Sequence, residues 1–390
     1  VDRLRSCGFV RSRYDPCVLY KYDEDYDVPV VVLPVHVDDA RGRVHPDYAQ
    51  WIQDLLQGEF AIGEFTWCDY GFNAMFTGTR YCETDIGLQY HQREYVGEKI
   101  EELKLSKDDH RQKAHSATDE QLAEFRTGLG KCAWTTHHWR YEFLAETCRL
   151  QGCVSDLTIG ELFNLNKLIR TMKRSGEDCF IPRLSESGEV FVQVIVDGGG
   201  GDQATSEFKK GQSGILIGIG VSGREELAVV HVKSARARRV THDSFDVETV
   251  TAVDGVDAGL CVAGLVEEFY SGPLPDLKSR IMQRLSTDAG GSAEKRLHVP
   301  VVVDTDCLSL VANVKAPKVV RRLSKRRAID VSDMRECVQL GELHVRAIQG
   351  TTNPMDAATK ALDKTTVTRR ILVDLLSTGV YEPVLQTPKL

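Results

Sequence analysis

The second half of the chain predicts a mixed α/β (α+β) fold: a five-stranded mixed sheet with helices packed on it. Three observations carry this. Strand-like apolar runs come as a group of three, at 190–196, 214–223 and 226–234, with the last two forming a hairpin around SGRE. Two more β-branched runs stand apart, VPVVVD at 299–304 and ELHVRAIQ at 342–349. The first of these is apolar at successive positions, the pattern of a parallel strand covered on both faces. Helical periodicity fills 244–266 and about 323–339. The order is then three antiparallel strands, helix, strand, two helices, strand and helix, which closes as one mixed sheet.

Length and composition bound the rest. A chain of 390 residues has room for two or three domains, each with its own core. At 42% hydrophobic and 27% charged residues it reads as a soluble globular protein. No unbroken apolar run approaches the ~20 residues of a membrane span, so no membrane partner is expected. VDRLRSCGF at the N-terminus lacks the apolar core of a signal peptide and lacks Met, so a piece of a longer intracellular product (cytoplasm and/or nucleus) is expected. The 11 cysteines include no CxxC pair and read as reduced thiols rather than a zinc cluster.

The net charge of −8 argues against bulk nucleic-acid binding, but the charge is uneven. From 186 onward, 26 Lys and Arg stand against 27 Asp and Glu. KAPKVVRRLSKRR at 315–327 holds seven positive side chains in thirteen residues. Lys318, Arg321, Arg322, Lys325, Arg326 and Arg327 are candidate phosphate contacts there; a solvated helix face or a nuclear address is the alternative.

In the first half, VLYKY (18–22) and VPVVVLPVHV (28–37) predict a β-hairpin turning at DEDYD. Pro29 and Pro34 each remove a ladder donor, which implies an edge or a bulge. The returning strand ends at Asp38 and Asp39. A helix is expected at 47–60, from apolar residues at 48, 51, 52, 55 and 56. Short strands follow in NAMFTGTRY and GLQYHQREYV, then a helix running into KIEELKLS and a polar linker at 106–117. Thr118 with Gln121, and Thr158 with Glu161, mark capping boxes for two helices of a connector that ends near Ser175. Leu162, Leu165, Leu168 and Ile169 form the apolar face of the second.

Four acids of the second half fall at element ends or on a close-packed face. Asp197 ends the run FVQVIVD and is followed by four glycines; a turn residue is the alternative. Glu248 lies on the helical face that continues through Ala252, Gly255 and Gly259. Those small residues allow close approach to the sheet, although an ordinary exposed Glu fits the same spacing. Asp306 follows VPVVVD and precedes a helix, where an N-cap is the competing role and Asp304 a competing position. Asp356 stands three residues past the cap candidate Asn353, where an acid also suits the helix dipole. Together the four suit hard divalent cations with oxygen ligands, Mg²⁺ (or Mn²⁺), and phosphodiester hydrolysis needs such a cluster.

The arrangement resembles the RNase H domain of copia-type retrotransposon polyproteins. GFVRSRYDPCVLYKY with VHVDD resembles the GF…DPC…YVDD end of a reverse transcriptase palm. FRTGLGKCAWTTHHWRYEFL is similar to the connector. VKSARARRVTHDSFDVETVTA, DTDCLSL, RRAIDVSDMRE and NPMDAATKAL are similar to successive RNase H motifs. The resemblance places catalytic, metal-holding acids at Asp197, Glu248, Asp306 (rather than Asp304) and Asp356. It also places two remnant polymerase ligands at Asp38 and Asp39. It implies an RNase H-like fold, an RNA–DNA hybrid as substrate, Mg²⁺, and the rest of a Pol polyprotein as partner. The departures are plain: the fingers and the third polymerase acid are absent, His36 replaces the aromatic before VDD, and His231 replaces a Trp. The glycines after Asp197 are expected to loosen the strand exit.

The expected organisation is a truncated palm at 1–105, linker and connector at 106–185, an RNase H-like domain at 186–375 and a tail at 376–390. The expected activity is two-metal hydrolysis of RNA in hybrids, without polymerase activity. Two other readings compete: a catalytically dead copy that binds nucleic acid or serves as structure, and an unrelated nuclease of the integrase type.

Overall fold

A computed structural model describes the chain except for residues 1, 37–38, 61, 63–64, 69–70, 72, 175, 186, 201–210, 238, 240, 273–298, 317–322, 361–365 and 387–390. The described strands form three sheets.

The first sheet contains β1 (Val10–Arg11), β2 (Val18–Lys21), β3 (Val31–His36), β4 (Asp39–Ala40) and β5 (Arg43–Val44), all antiparallel. The expected hairpin is β2–β3. β3 is an inner strand, with β2 on one side and β4 and β5 on the other. Pro34 is accommodated because the ladder lapses opposite it, between β4 and β5, where its C=O accepts from the Arg41 N–H at 3.3 Å. Leu19, Val31 and Ile52 anchor a small core there, Ile52 coming from the expected helix, observed at Ala49–Glu59.

The second sheet runs β6 (Asn73–Phe76), β7 (Thr79–Glu83), β8 (Gly87–His91), β9 (Cys179–Pro182), again antiparallel. β9 is not foreshadowed by periodicity: four residues, CFIP, give too short a pattern. It carries the chain back across the boundary expected at 105. The connector helices lie between: Asp119–His138, opened by the full Thr118–Gln121 capping box, then Leu144–Gln151 and Ile159–Arg174. Leu162, Leu165, Leu168 and Ile169 are buried as their spacing requires.

The third sheet has the order β12–β11–β10–β13–β14, formed by β10 (Val190–Gly199), β11 (Gln212–Val221), β12 (Leu227–Arg236), β13 (Val301–Thr305) and β14 (Leu343–Ala347). β10 pairs antiparallel with β11 and parallel with β13. β11 and β12 are antiparallel, β13 and β14 parallel. This is the five-stranded mixed sheet expected. Burial follows the β-branched pattern: Val192, Val194 and Val196 of β10 and Val301 and Val303 of β13 sit in one core.

The helix Ser244–Ser271 lies on this sheet. By length and composition it would pass for a membrane span, with a mean hydropathy of 1.5, although no single run in the sequence marks it. Its small-residue face is packed on β10: a Cβ on Gly255 would stand 2.8 Å from Val196 Cγ1, and one on Gly259 2.6 Å from Val194 Cγ2. The loop expected at 271–295, and its short helix, lie almost entirely outside the described residues. Helices Leu308–Lys315 and Lys325–Gln339 follow as expected. The helix expected at Asn353–Pro354 is instead a 3-10 turn, Pro354–Ala358, and an α-helix follows at Thr366–Thr378. Beyond it, Val380 bridges to Glu226 and Leu385 to Ile348, so the tail lies against the sheet.

The helix–sheet contact is testable. Gly255→Ala forces a methyl into Val196 and should cost about 1–3 kcal/mol by overpacking. Gly130→Ala, on an exposed helical site with nothing within 4 Å, should stabilise by roughly 0.4–1 kcal/mol. Urea midpoints of the two variants should therefore move in opposite directions. Equal shifts would refute the close packing.

Candidate metal centre

Three of the four acids meet. Asp197, Glu248 and Asp306 each present a carboxylate oxygen, and these oxygens all lie within 4.8 Å of one another. Each arrives by a different device. Asp197 belongs to β10 itself, opposite Gly214, and is not a turn residue. Glu248 stands one turn into the helix Ser244–Ser271, and the Gly198 N–H donates to its Oε2 at 3.1 Å. Asp306 follows the last residue of β13. It does not act as a side-chain N-cap: the next helix starts after Cys307, whose N–H is taken by Thr305 Oγ1 at 3.1 Å.

The glycines after Asp197 tighten this junction rather than loosen it. β10 continues through Gly198 and Gly199. A Cβ on Gly198 would lie 2.7 Å from the Glu248 backbone N, and one on Gly199 3.0 Å from Thr359 Cβ. The expectation of a loose exit is corrected for these two positions: the helix presses on Gly198, where only a hydrogen fits, and Thr359 lies tight against Gly199.

Asp356 is brought close but is differently engaged. Asn353 sets its place: the side-chain amide donates to the Val196 C=O at 3.0 Å, and its Oδ1 accepts from the Met355 N–H at 3.0 Å. One Asp356 oxygen is ion-paired with Lys360, and the other accepts from the Thr368 hydroxyl at 3.1 Å. The neighbouring Thr359 hydroxyl donates to Asp197. Thr359, Lys360 and Thr368 are the site residues that sequence reasoning missed. The first two lie inside the motif NPMDAATKAL, beside the acid singled out there.

Asp304 serves another purpose. It is fully buried and held bidentately by Arg346, at 2.7 and 2.8 Å, with the Tyr381 hydroxyl donating at 2.9 Å. The two acids thus differ in their surroundings: Asp304 is engaged by an arginine, and Asp306 faces carboxylates.

Electrostatics mark the trio. Burial, then Asp197 and Asp306, push the Glu248 carboxyl up to about 9. Burial, then Asp306, push Asp197 up to about 6, against the Thr359 hydrogen bond. Burial above all raises Asp306. Like charges at this separation disfavour ionisation unless a cation joins them. Asp306 Oδ1 is buried and has no hydrogen-bond partner among the described residues. Hard oxygen donors, mutual repulsion and an orphaned oxygen fit a divalent ion such as Mg²⁺ or Mn²⁺.

The other candidates divide. Lys325 and Arg326 are exposed. Arg327 is not a surface cation: it is buried, with Asp330 at 2.8 Å and Asp246 at 3.4 Å, so its assignment as a phosphate contact is corrected. Lys318, Arg321 and Arg322 lie outside the described residues, as does Asp38. Asp39 is exposed on β4, opposite His36.

No protein-family model matches the chain, and no curated protein does. Among solved structures a similar one is LC11-RNase H1, isolated from compost by a metagenomic approach. It is 14% identical, with a TM-score of 0.27, over 45% of this chain and 97% of that one.

The raised carboxyls carry a pH signature. An acid whose folded pKa exceeds its unfolded value holds its proton more tightly when folded. For Glu248 that contribution is complete below the unfolded value of 4.5 and is lost as pH rises through about 9. The metal-free protein should therefore lose thermal stability across this window, and Glu248→Gln should remove much of the loss. Melting curves against pH in chelator check this; an unchanged slope in the variant contradicts it.

Proposed function

We propose that the chain is a ribonuclease of RNase H type that hydrolyses the RNA strand of RNA–DNA hybrids. One observation supports this most: three carboxylates, from β10, from the helix Ser244–Ser271 and from the residue after β13, converge within 4.8 Å beside the five-stranded sheet. In the proposed roles, Asp197, Glu248 and Asp306 hold a divalent ion, Mg²⁺ or Mn²⁺. When bound, that ion supplies Lewis-acid stabilisation of phosphate charge and activation of water. Asp356 is proposed as the fourth acid of the site.

The chain's own groups do the arranging. The Thr359 hydroxyl fixes the Asp197 carboxylate, and the Gly198 N–H fixes Glu248. Glu248, protonated at neutral pH without a cation, must release its proton for the site to load, so loading should favour higher pH. In the hydrolysis a water oxygen bonds to phosphorus. The bond from phosphorus to the leaving ribose oxygen breaks, and that oxygen takes up a proton. Lys325 and Arg326, exposed at the start of Lys325–Gln339, are proposed to meet backbone phosphates, with Lys318, Arg321 and Arg322 beside them in sequence. Recognition would rest on hybrid shape and 2′-hydroxyls rather than on base sequence.

We further propose that the chain is a piece of a copia-type retrotransposon Pol polyprotein whose first hundred residues are the end of a reverse transcriptase palm. This rests on motif resemblance, with Asp38 and Asp39 as remnant polymerase ligands. No polymerase activity is proposed for the chain alone. The rival reading, a dead copy retained as a binding or structural domain, is disfavoured by a centre that keeps three converging acids and the orphaned Asp306 oxygen.

The test is hybrid cleavage by the whole chain. Wild type should cut the RNA strand in Mg²⁺ and stop in chelator, and Asp306→Asn should lower the rate by at least about 10³-fold while melting as a folded protein. Equal cleavage by the variant, or none by wild type in either metal, would sink the proposal.

A further inference from the structure

We propose that Lys360 stands in for a second metal ion: the centre binds one divalent cation, on Asp197, Glu248 and Asp306, and the Lys360 ammonium, seated on Asp356, supplies the second positive charge to the phosphate. The inference rests on the nuclease reading above and goes beyond it in the number of ions and in the role of a residue outside the acid set.

The geometry of Asp356 points this way. A carboxylate oxygen that already carries a cation must share it with any ion that binds there. Here one oxygen holds Lys360 Nζ and the other accepts the Thr368 hydroxyl. Asp356 is 8% exposed and is not among the three acids whose oxygens lie within 4.8 Å of one another. A second ion at Asp356 would meet the ammonium already seated on its oxygen, cation against cation.

Lys360 is also placed to act. Its side chain is 47% exposed, so the ammonium stands at the solvent side of a site whose carboxylates are mostly buried. It follows directly on Thr359, which holds Asp197, and both hang from the turn that Asn353 locks to Val196. Its charge is felt by all three metal-facing acids, lowering Asp197, Glu248 and Asp306 against burial. A lysine is a compact point charge on a flexible stem, suited to meeting a phosphate oxygen without a fixed angle. In the hydrolysis described above, the ammonium would neutralise negative charge on the non-bridging oxygens and the leaving oxygen as the phosphorus–oxygen bond breaks. No oxidant or further reactant is involved.

Counting bound Mn²⁺ by electron paramagnetic resonance of the free ion tests this without reference to activity. The full chain should saturate with one Mn²⁺ above the background of the Asp306→Asn protein. Lys360→Arg, which keeps the charge, should also take one; Lys360→Ala, which frees the Asp356 oxygen, should take two. Thermal melts confirm that each variant is folded. A wild type that takes two ions, or a Lys360→Ala protein that stays at one, overturns the stand-in while leaving the metal centre in place. A wild type that takes none overturns the centre itself and the inference with it.

Discussion

Gly198 has room for a hydrogen and nothing more. The backbone of Glu248 lies where its Cβ would be, and this contact fixes how closely the helix Ser244–Ser271 approaches β10. The same closeness recurs about two and three turns later, at Gly255 and Gly259 against Val196, Val194 and Val301. With the helix seated there, Glu248 is brought to the strand end. Its carboxylate is held over the strand end by the Gly198 N–H, facing Asp197. A larger residue at any of these positions would lift the helix and open the cluster.

What the packing brings together, electrostatics opposes. Three carboxylates with oxygens inside 4.8 Å repel, and burial deepens the cost of ionising them. The fold answers with a second layer of restraint from the opposite side. Asn353 ties the Asp356 turn to the residue before Asp197, and Thr359 clamps Asp197 itself. Buried Asp304, held by Arg346 and Tyr381, stands just before Asp306 and ties together the strands that deliver it. These contacts hold Asp197 and Glu248 in place before any cation arrives, which favours binding because less side-chain freedom remains to be lost.

The fold of the second half was legible because its strands are long, β-branched and well separated, and the small residues at 252, 255 and 259 announced a tight helix–sheet contact. The convergence of Asp197, Glu248 and Asp306 was legible for the same reason: each ends an element or sits on that face. Other features were hidden. β9 has four residues and leaves no period to read. Arg327 looked like part of a basic patch because charge was counted along the chain, whereas its neighbours in space are Asp246 and Asp330. Thr359 and Lys360 carry no periodic signal, and their roles exist only once the turn is fastened to β10. The glycines at 198 and 199 were misread because a glycine run suggests freedom, and nothing in the chain's order states that a helix presses against it.

The most direct measurement is anomalous diffraction from crystals of the full chain soaked in Mn²⁺. The account expects a peak roughly 2.1 Å from carboxylate oxygens of Asp197, Glu248 and Asp306 together. A peak elsewhere, or these three carboxylates turned apart with no ion between them, would contradict it.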